Sequence, residues 1–290
     1  MIRIAIAAAA LSAALALSAT TSAAPPTVTI GTKNFTEQYV LGQLYKQALE
    51  AKGYKVVYKE NIGSSELIDT AFKSGKINFY PEYDGVLVAN IAKKPLPKTA
   101  AATYSAAKTF VEAERGGTLL RMTPFSDTDS FGLLTSTAKK LNVKTIGDMK
   151  KVKSFTFAGF PECRTRITCL LGLKNIYGLK QAKFVSLGSI SVYTLLDQGR
   201  VTSGDVFSTD PQLQGSKYTV LTDTKHIFGF QNVAPVVKKN IATPALAKIV
   251  NAVSAKLTVP AMRAMNKAVA IDKKSPADVA SAFLTANHLK

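Results

Sequence analysis

Three short loops in this sequence carry side chains suited to holding a small solute, and each loop follows a predicted strand. The first supplies Lys33 just before a predicted helix, the second supplies Tyr83, and the third opens with Phe207. In open α/β sheets ligands collect at the carboxyl ends of strands, where loops and helix N-termini meet. The free amides at a helix N-terminus also favour an anion. The three loops therefore predict a small-molecule site at the strand ends.

The sequence lacks the motifs that catalysis or metal binding would need. Its two His residues, His226 and His288, lie far apart, and only two Cys residues are present. We find no G-x-S-x-G elbow, no H-E-x-x-H pair and no phosphate-binding Walker loop. Two His are too few for ordinary acid–base chemistry. We therefore expect a protein that is not an enzyme and holds neither a metal ion nor a cofactor.

The composition favours a soluble protein with a basic surface. The 290 residues include 37 Lys and Arg against 19 Asp and Glu, a formal net charge of +18, and 47% are hydrophobic. That balance excludes a disordered chain and a multispan membrane protein. The Lys residues are scattered, with no Arg-rich stripe, so we expect a solvated basic face and no nucleic-acid partner. Attraction to an anionic membrane surface is a secondary expectation.

The N-terminus has the three parts of a secretory signal. A basic start, an apolar run from Ile4 to Leu17 and a small-residue segment precede two Pro residues. We predict a signal peptide over residues 1–23, cut after Ala23. The alternative, a membrane anchor, is disfavoured because the apolar run is shorter than the roughly 20 residues that span a bilayer. We expect an exported protein, periplasmic or extracellular, and not lipid-anchored, since no Cys lies near the cut.

The two cysteines, Cys163 and Cys169, lie close together in the predicted second half of the fold. An oxidising compartment outside the cytosol would let them pair, and closing so short a loop would contribute only roughly 2 kcal/mol by chain entropy. We predict a local disulfide. Two free buried thiols remain the alternative.

Strand and helix patterns alternate along the chain, which predicts an α/β fold with two mostly parallel sheets flanked by helices. A strand to Gly31 is followed by a capping-box pattern at Asn34 and Glu37 that opens a helix. The pattern restarts after Asp129. We predict one lobe from residues 24–128 and 232–290, a second lobe from residues 129–231, and a hinge where the chain crosses between them.

Six stretches of the sequence resemble the osmoprotectant substrate-binding proteins of ATP-driven uptake systems, the glycine betaine and choline type. The resemblance spans the whole mature chain with consistent spacing. The matching stretches are residues 31–42, residues 71–75 with 80–85, residues 161–166, residues 177–179, residues 205–210 and residues 234–237.

The resemblance implies a two-lobed, type II-like periplasmic-binding-protein fold, a monomer that closes over its ligand and passes it to a membrane permease. It also implies an aromatic cage for a quaternary ammonium, with basic groups that grip a carboxylate. The positions that match the family's ligand-binding residues are Lys33, Tyr83, Asp129, Phe131, Arg166, Phe207 and Gln231.

Several of these positions depart from the family pattern. Phe131 and Phe207 stand where the family usually has Tyr, Gln231 stands where another aromatic is expected, and Val86 where Thr is common. Choline, carnitine or a solute with a bulkier aromatic or apolar body would also fit a Phe-lined cleft. Two alternatives therefore stay open, a receptor for a different small solute and a secreted basic interaction protein without a role in transport.

Overall fold

Strands and helices alternate along the chain in the computed structural model, which describes residues 25–290. The predicted signal peptide and its cleavage point lie outside these residues. The strands are β1 (Val28–Lys33), β2 (Val56–Gly63), β3 (Phe79–Tyr83), β4 (Gly117–Leu119), β5 (Asp129–Leu134), β6 (Phe155–Gly159), β7 (Ala182–Ser186), β8 (Ser203–Phe207), β9 (Tyr218–Val220) and β10 (Val233–Lys238).

The α-helices surround these strands. They are α1 (Thr36–Glu50), α2 (Ser65–Lys73), α3 (Asp84–Val86), α4 (Ala100–Glu114), α5 (Thr135–Leu141), α6 (Leu170–Asn175), α7 (Val192–Asp197), α8 (Pro244–Ser254), α9 (Val259–Ala270) and α10 (Pro276–Ala286). A π-helical turn, Leu87–Ile91, continues α3, and 3₁₀ turns cover Ile146–Lys151, Pro161–Thr165 and Pro211–Gln214.

Two five-stranded sheets with the same arrangement organise the fold. The first has the order β2-β1-β3-β10-β4 and the second the order β7-β6-β8-β5-β9. In each sheet one strand, β10 or β5, runs antiparallel to both of its neighbours, while the other strands share one direction. The predicted α/β fold with two mostly parallel sheets is confirmed. We call the first sheet with α1–α4 and α8–α10 lobe 1, and the second with α5–α7 lobe 2.

The C-terminal helices belong to lobe 1 because they cover α1. Leu44 of α1, Leu246 and Val250 of α8, and Met262 of α9 are fully buried in one hydrophobic cluster. The Tyr45 hydroxyl lies 3.0 Å from Oγ of Ser254 and ties α1 to α8. Burial of these apolar side chains is what draws the last helices back across the chain, at roughly 1.5–3 kcal/mol for each large side chain.

The chain crosses between the lobes twice, and the two crossings are paired with each other. Ser126 forms an antiparallel bridge with Asn232, and the Asp127 amide donates to the Gln231 carbonyl at 3.0 Å. The Asn232 amide group also donates to the Phe125 carbonyl at 3.0 Å. All strands of lobe 2 fall between these crossings, within residues 129–231.

Cys163 and Cys169 form a disulfide in lobe 2. The bridged segment contains a 3₁₀ turn and then Arg166 in extended conformation (φ −89°, ψ 133°), and α6 begins only at Leu170. The sequence pattern predicts one continuous helix from about residue 164 to 177, and the structure corrects this. Within residues 25–290, no helix is long and apolar enough to cross a membrane.

Candidate ligand-binding cleft

Four aromatic rings meet where the two sheets face each other, and each ring stands at the carboxyl end of a parallel strand. Phe35 follows β1, Tyr83 ends β3, Phe160 follows β6 and Phe207 ends β8. Because β1 and β3 are neighbours in lobe 1, and β6 and β8 are neighbours in lobe 2, each lobe presents two adjacent rings. The strand topology therefore places a pair of rings on either side of the cleft.

Phe35 links the rings of the two lobes. Its ring centre lies 6.2 Å from that of Tyr83, 6.2 Å from that of Phe207 and 6.4 Å from that of Phe160. The Phe35 and Phe207 ring planes are nearly parallel, at 5°. The atom-free space around them amounts to about 540 Å³, a figure that includes open solvent. Aromatic faces carry negative partial charge and attract cations, so this cluster suits a positively charged ligand.

Lys33 enters the cleft from the end of β1 as one half of a buried ion pair. Its ammonium lies 2.5 Å from a carboxylate oxygen of Glu82, 3.2 Å from Oγ of Ser65, and 4.1 Å from the centre of the Tyr83 ring. Burial lowers the pKa of Lys33, while the Glu82 carboxylate opposes that shift. The positive charge of Lys33 is therefore already neutralised by a protein carboxylate.

Arg166 enters from lobe 2 and is also paired. Its Nε and Nη2 donate to the two carboxylate oxygens of Glu66, on α2 of lobe 1, at 3.2 and 3.0 Å. Although partial burial alone would raise it, the hydrogen bonds from Arg166 hold the pKa of Glu66 at about 2. This two-point contact crosses the cleft and joins the lobes.

Asp129 and Asp205 form an acidic pair on the floor of the cleft. They lie diagonally on the antiparallel strands β5 and β8, since Asp129 is opposite Phe207 and Asp205 is opposite Phe131. Burial raises the pKa of Asp129, and burial followed by the neighbouring Asp129 charge raises that of Asp205. Two neighbouring buried carboxylates resist ionising together, and this repulsion adds to the effect of burial on Asp205.

Among the described residues, Asp205 is the member of this pair that has a buried oxygen without a hydrogen-bond donor. Its Oδ1 is buried and has no hydrogen-bond partner in the part of the chain that the structure describes. Its Oδ2 lies 3.4 Å from Sγ of Cys169, which carries no proton to donate because it is bonded to Cys163. These two sulfur atoms and the carboxylate are close together, but sulfurs joined in a disulfide do not supply a metal-ligand set.

A second acidic pair, Glu37 and Asp127, is held by donors from both lobes. The Thr209 hydroxyl lies 2.6 Å from Oε2 of Glu37 and 2.7 Å from Oδ1 of Asp127. The Tyr83 hydroxyl donates to Glu37 at 2.8 Å, and the Asn266 amide group donates to it at 2.9 Å. Burial raises the pKa of both carboxyls.

The contacts of Glu37 with Tyr83, Thr209 and Asn266 overturn its predicted role in a capping box. Helix α1 begins at Thr36 with Phe35 as its N-cap, and no side chain caps it. The carboxylate of Glu37 is turned toward Tyr83 and Thr209 instead. Satisfying a buried carboxylate with hydroxyl and amide donors outweighs a surface cap, because an unpaired buried charge is far more costly.

The structure brings six of the seven residues expected at the site to one cleft. The seventh, Phe131, packs on Phe155 and Phe157 in the core of lobe 2, with ring centres 6.0 and 5.1 Å apart. Each residue advances a strand by about 3.3 Å, so Phe131 lies deeper in the sheet than Asp129 at the strand start. The six residues that line the cleft are Lys33, Tyr83, Asp129, Arg166, Phe207 and Gln231.

Several residues of the cleft were not predicted. Phe35 and Phe160 supply half of the rings, and Asp127 and Asp205 line the same space. The signal that could have found the two rings is their position, since each lies within two residues of the end of a strand that ends at the cleft. The pairing of Asp205 with Asp129 had no comparable signal, because it depends on the register between β5 and β8.

Comparison with known proteins identifies the family. The family model described as the substrate-binding domain of ABC-type glycine betaine transport systems matches residues 26–286. A glycine-betaine-binding protein of Pseudomonas aeruginosa is 32% identical over 279 residues, covering 91% of this chain and 88% of that protein. The glycine betaine-binding protein YehZ of Escherichia coli is 25% identical, with 93% of each chain covered.

A solved structure also shares the fold. The crystal structure of a glycine betaine/carnitine/choline ABC transporter protein superimposes with a TM-score of 0.72 at 22% identity, covering 91% of this chain and 99% of that one. The predicted two-lobed fold and the predicted family are thus confirmed. The chain belongs to the substrate-binding proteins of ABC-type glycine betaine transport systems, a family of extracytoplasmic transport receptors rather than enzymes.

Proposed function

We propose that this protein binds a small quaternary ammonium solute between its lobes and delivers that solute to an ABC permease. The observation that carries the proposal is the cluster of four rings, Phe35, Tyr83, Phe160 and Phe207, two from each lobe. Asp129 and Asp205 stand beside these rings in the same cleft.

Aromatic rings suit a methylated ammonium because that group has no N–H to donate and hydrogen bonding cannot hold it. Each ring face contributes roughly 0.5–2 kcal/mol to binding a cation. Four faces together with nearby carboxylates are enough for micromolar binding, about −8 kcal/mol. The contact of the Lys33 ammonium with the Tyr83 ring, at 4.1 Å, supports the view that these rings accept positive charge.

Contacts between the lobes support a clamp that closes over its ligand. Beside the contact between Arg166 and Glu66, the Asn90 amide group donates to the Thr168 hydroxyl at 3.0 Å. Because the cleft is lined by both lobes, a ligand held there would stabilise the closed form. We also infer that the protein is exported through the predicted signal peptide.

The test is calorimetry on the mature protein with glycine betaine, choline, carnitine and proline. Tyr83→Ala removes a ring and should weaken binding of the preferred quaternary ammonium at least tenfold. Tyr83→Phe is the matched control, because it keeps the ring and removes only the hydroxyl that donates to Glu37. Failure of every quaternary ammonium to bind, or an unchanged affinity in Tyr83→Ala, would contradict the proposal.

A further inference from the structure

The charges of the cleft do not match a zwitterionic ligand. The lining residues include two cationic side chains, Lys33 and Arg166, and four carboxylates (Asp127, Asp129, Glu162 and Asp205). This acidic excess stands out in a chain whose basic residues outnumber its acidic ones by 37 to 19. The ionisable residues that line the cleft are therefore mostly acidic, although the protein as a whole is basic.

Both cationic side chains are already committed to protein carboxylates. Lys33 lies 2.5 Å from Glu82, and Arg166 makes two hydrogen bonds to Glu66. The side chains of Lys33 and Glu82 are only 4% and 1% exposed, so a change of partner would leave a carboxylate buried and unpaired. A ligand carboxylate would have to compete with these pairs for the same donors.

The acidic side of the cleft, in contrast, has unused capacity. Asp205 is 4% exposed and its Oδ1 lacks a donor among residues 25–290. Oε1 of Gln231, which is 1% exposed and lines the same cleft, likewise lacks a donor within the described chain. Both free atoms are acceptors. Leaving a buried acceptor unpaired costs about 1–3 kcal/mol. A ligand that supplies a hydrogen-bond donor to one of these acceptors therefore gains affinity that a ligand without a donor lacks.

We propose that the Asp129–Asp205 pair makes this cleft selective for a quaternary ammonium that carries a net positive charge and its own hydrogen-bond donor, the choline class, over zwitterionic betaines. The inference rests on the proposed function and narrows its ligand. The trimethylammonium group contacts the rings, the hydroxyl donates to Asp205, and the net charge is balanced by ionisation of the acidic pair. A betaine carboxylate in the same place would face Asp129 and Asp205 and would bring no donor.

Choline and glycine betaine are a matched pair of probes for this proposal. They share the trimethylammonium group and differ only in a terminal hydroxymethyl or carboxylate group. We expect calorimetry at pH 7.5 to show choline binding at least tenfold more tightly than glycine betaine. In Asp205→Asn, choline binding should fall at least tenfold while glycine betaine binding changes less than threefold.

Asp197→Asn is the control, because it also removes one carboxylate from lobe 2 but at an exposed ion pair with Lys217. Both affinities should stay unchanged in that variant. Because choline and glycine betaine are first compared on the unaltered protein, this part of the test does not depend on any variant folding correctly. Glycine betaine binding as tightly as choline would overturn the selectivity and leave the proposed function intact. Binding of neither these nor any other quaternary ammonium would overturn the proposed function itself.

Discussion

The Glu66 carboxylate accepts two hydrogen bonds from the Arg166 guanidinium across the cleft, at 3.2 and 3.0 Å. This contact joins the lobes and occupies one of the two cationic groups in the cleft that could otherwise receive a ligand carboxylate. If the protein acts as proposed, this contact should affect both the closure of the lobes and the selectivity for ligands, and a comparison of two ligands separates the two effects.

Glu66→Gln should shift selectivity toward zwitterions. The amide keeps the shape of the side chain but no longer neutralises Arg166, whose guanidinium becomes available for a ligand carboxylate. Weaker closure should lower both affinities, so the informative quantity is the ratio of glycine betaine to choline affinity, which should rise about tenfold, the equivalent of one charge-assisted hydrogen bond. Calorimetry checks this. Glu50→Gln, at a partly exposed ion pair with Lys46, is the control, and an unchanged ratio in Glu66→Gln would count against the role of Arg166.

Phe207→Leu should weaken ligand binding about tenfold, because it preserves an apolar side chain and removes one ring face from the cleft. Phe131→Leu is the matched control in the same pair of strands. It should leave the affinity unchanged and lower the melting temperature, because Phe131 packs in the core of lobe 2. Calorimetry and thermal denaturation separate the two outcomes. The opposite result, a loss of affinity only in Phe131→Leu, would show that the Phe131 ring contacts the ligand and the Phe207 ring does not.

Binding of a cation should release protons from the Asp129–Asp205 pair. Burial raises the pKa of each carboxyl, and a bound cation favours the ionised forms. Among the charged groups near the pair, Arg166 and Lys33 favour ionisation and Asp210 opposes it, while Asp127 and Glu162 line the same cleft. Affinity should therefore rise with pH. Calorimetric heats should differ between phosphate and Tris buffers, whose ionisation enthalpies differ. Asp205→Asn should abolish the difference, and equal heats in the unaltered protein would contradict this linkage.

Replacing Cys163 and Cys169 by Ser should lower the free energy of unfolding by about 2 kcal/mol, the loop-closure contribution of so short a segment. Ligand binding should weaken as well, because Arg166 lies inside the bridged segment. Urea denaturation and calorimetry check the two effects. The unaltered protein treated with a reductant should behave like the double variant, and stability that is insensitive to both treatments would argue against a structural role for the bridge.

Asp84→Asn should make stability less sensitive to pH. Burial raises the pKa of Asp84 from its ordinary value of 3.8 to about 7, so the folded state binds more protons than the unfolded state between these values. Its contribution to stability is therefore greatest below pH 4 and declines as the pH rises toward 7. Between pH 4 and pH 7, the free energy of unfolding of the variant should therefore rise relative to that of the unaltered protein, by at most about 4 kcal/mol.

Melting temperatures from pH 4 to 8 check this behaviour of Asp84. In Asp197→Asn no such gain is expected, because the hydrogen bond from Lys217 lowers the pKa of the Asp197 carboxyl. If the melting temperatures of Asp84→Asn and the unaltered protein changed in parallel with pH, the pKa of Asp84 would not be raised.

Local sequence patterns predict the order of strands and helices and place Tyr83 and Phe207 at one site. They can do so because strand ends and turns are marked by residues that are neighbours in the sequence. The partners of the charged groups were not predictable in this way. Glu82 and Glu66 neutralise Lys33 and Arg166, and each pair joins residues far apart in the chain. The position of Phe131 was not predictable from local patterns either. A ring near the start of a strand can face a cleft or the core, and its exact position along the strand decides between the two.

The two interlobe crossings lie side by side, with Ser126 bridged to Asn232 and Asp127 hydrogen-bonded to Gln231. A narrow two-stranded ribbon bends easily out of its own plane but resists sliding or rotation within it. We therefore expect the two lobes to open and close by rotation about a single axis that passes through these paired crossings. If the protein acts as proposed, we expect a solute to enter and leave along one route, and the closed form to present one fixed surface to a permease.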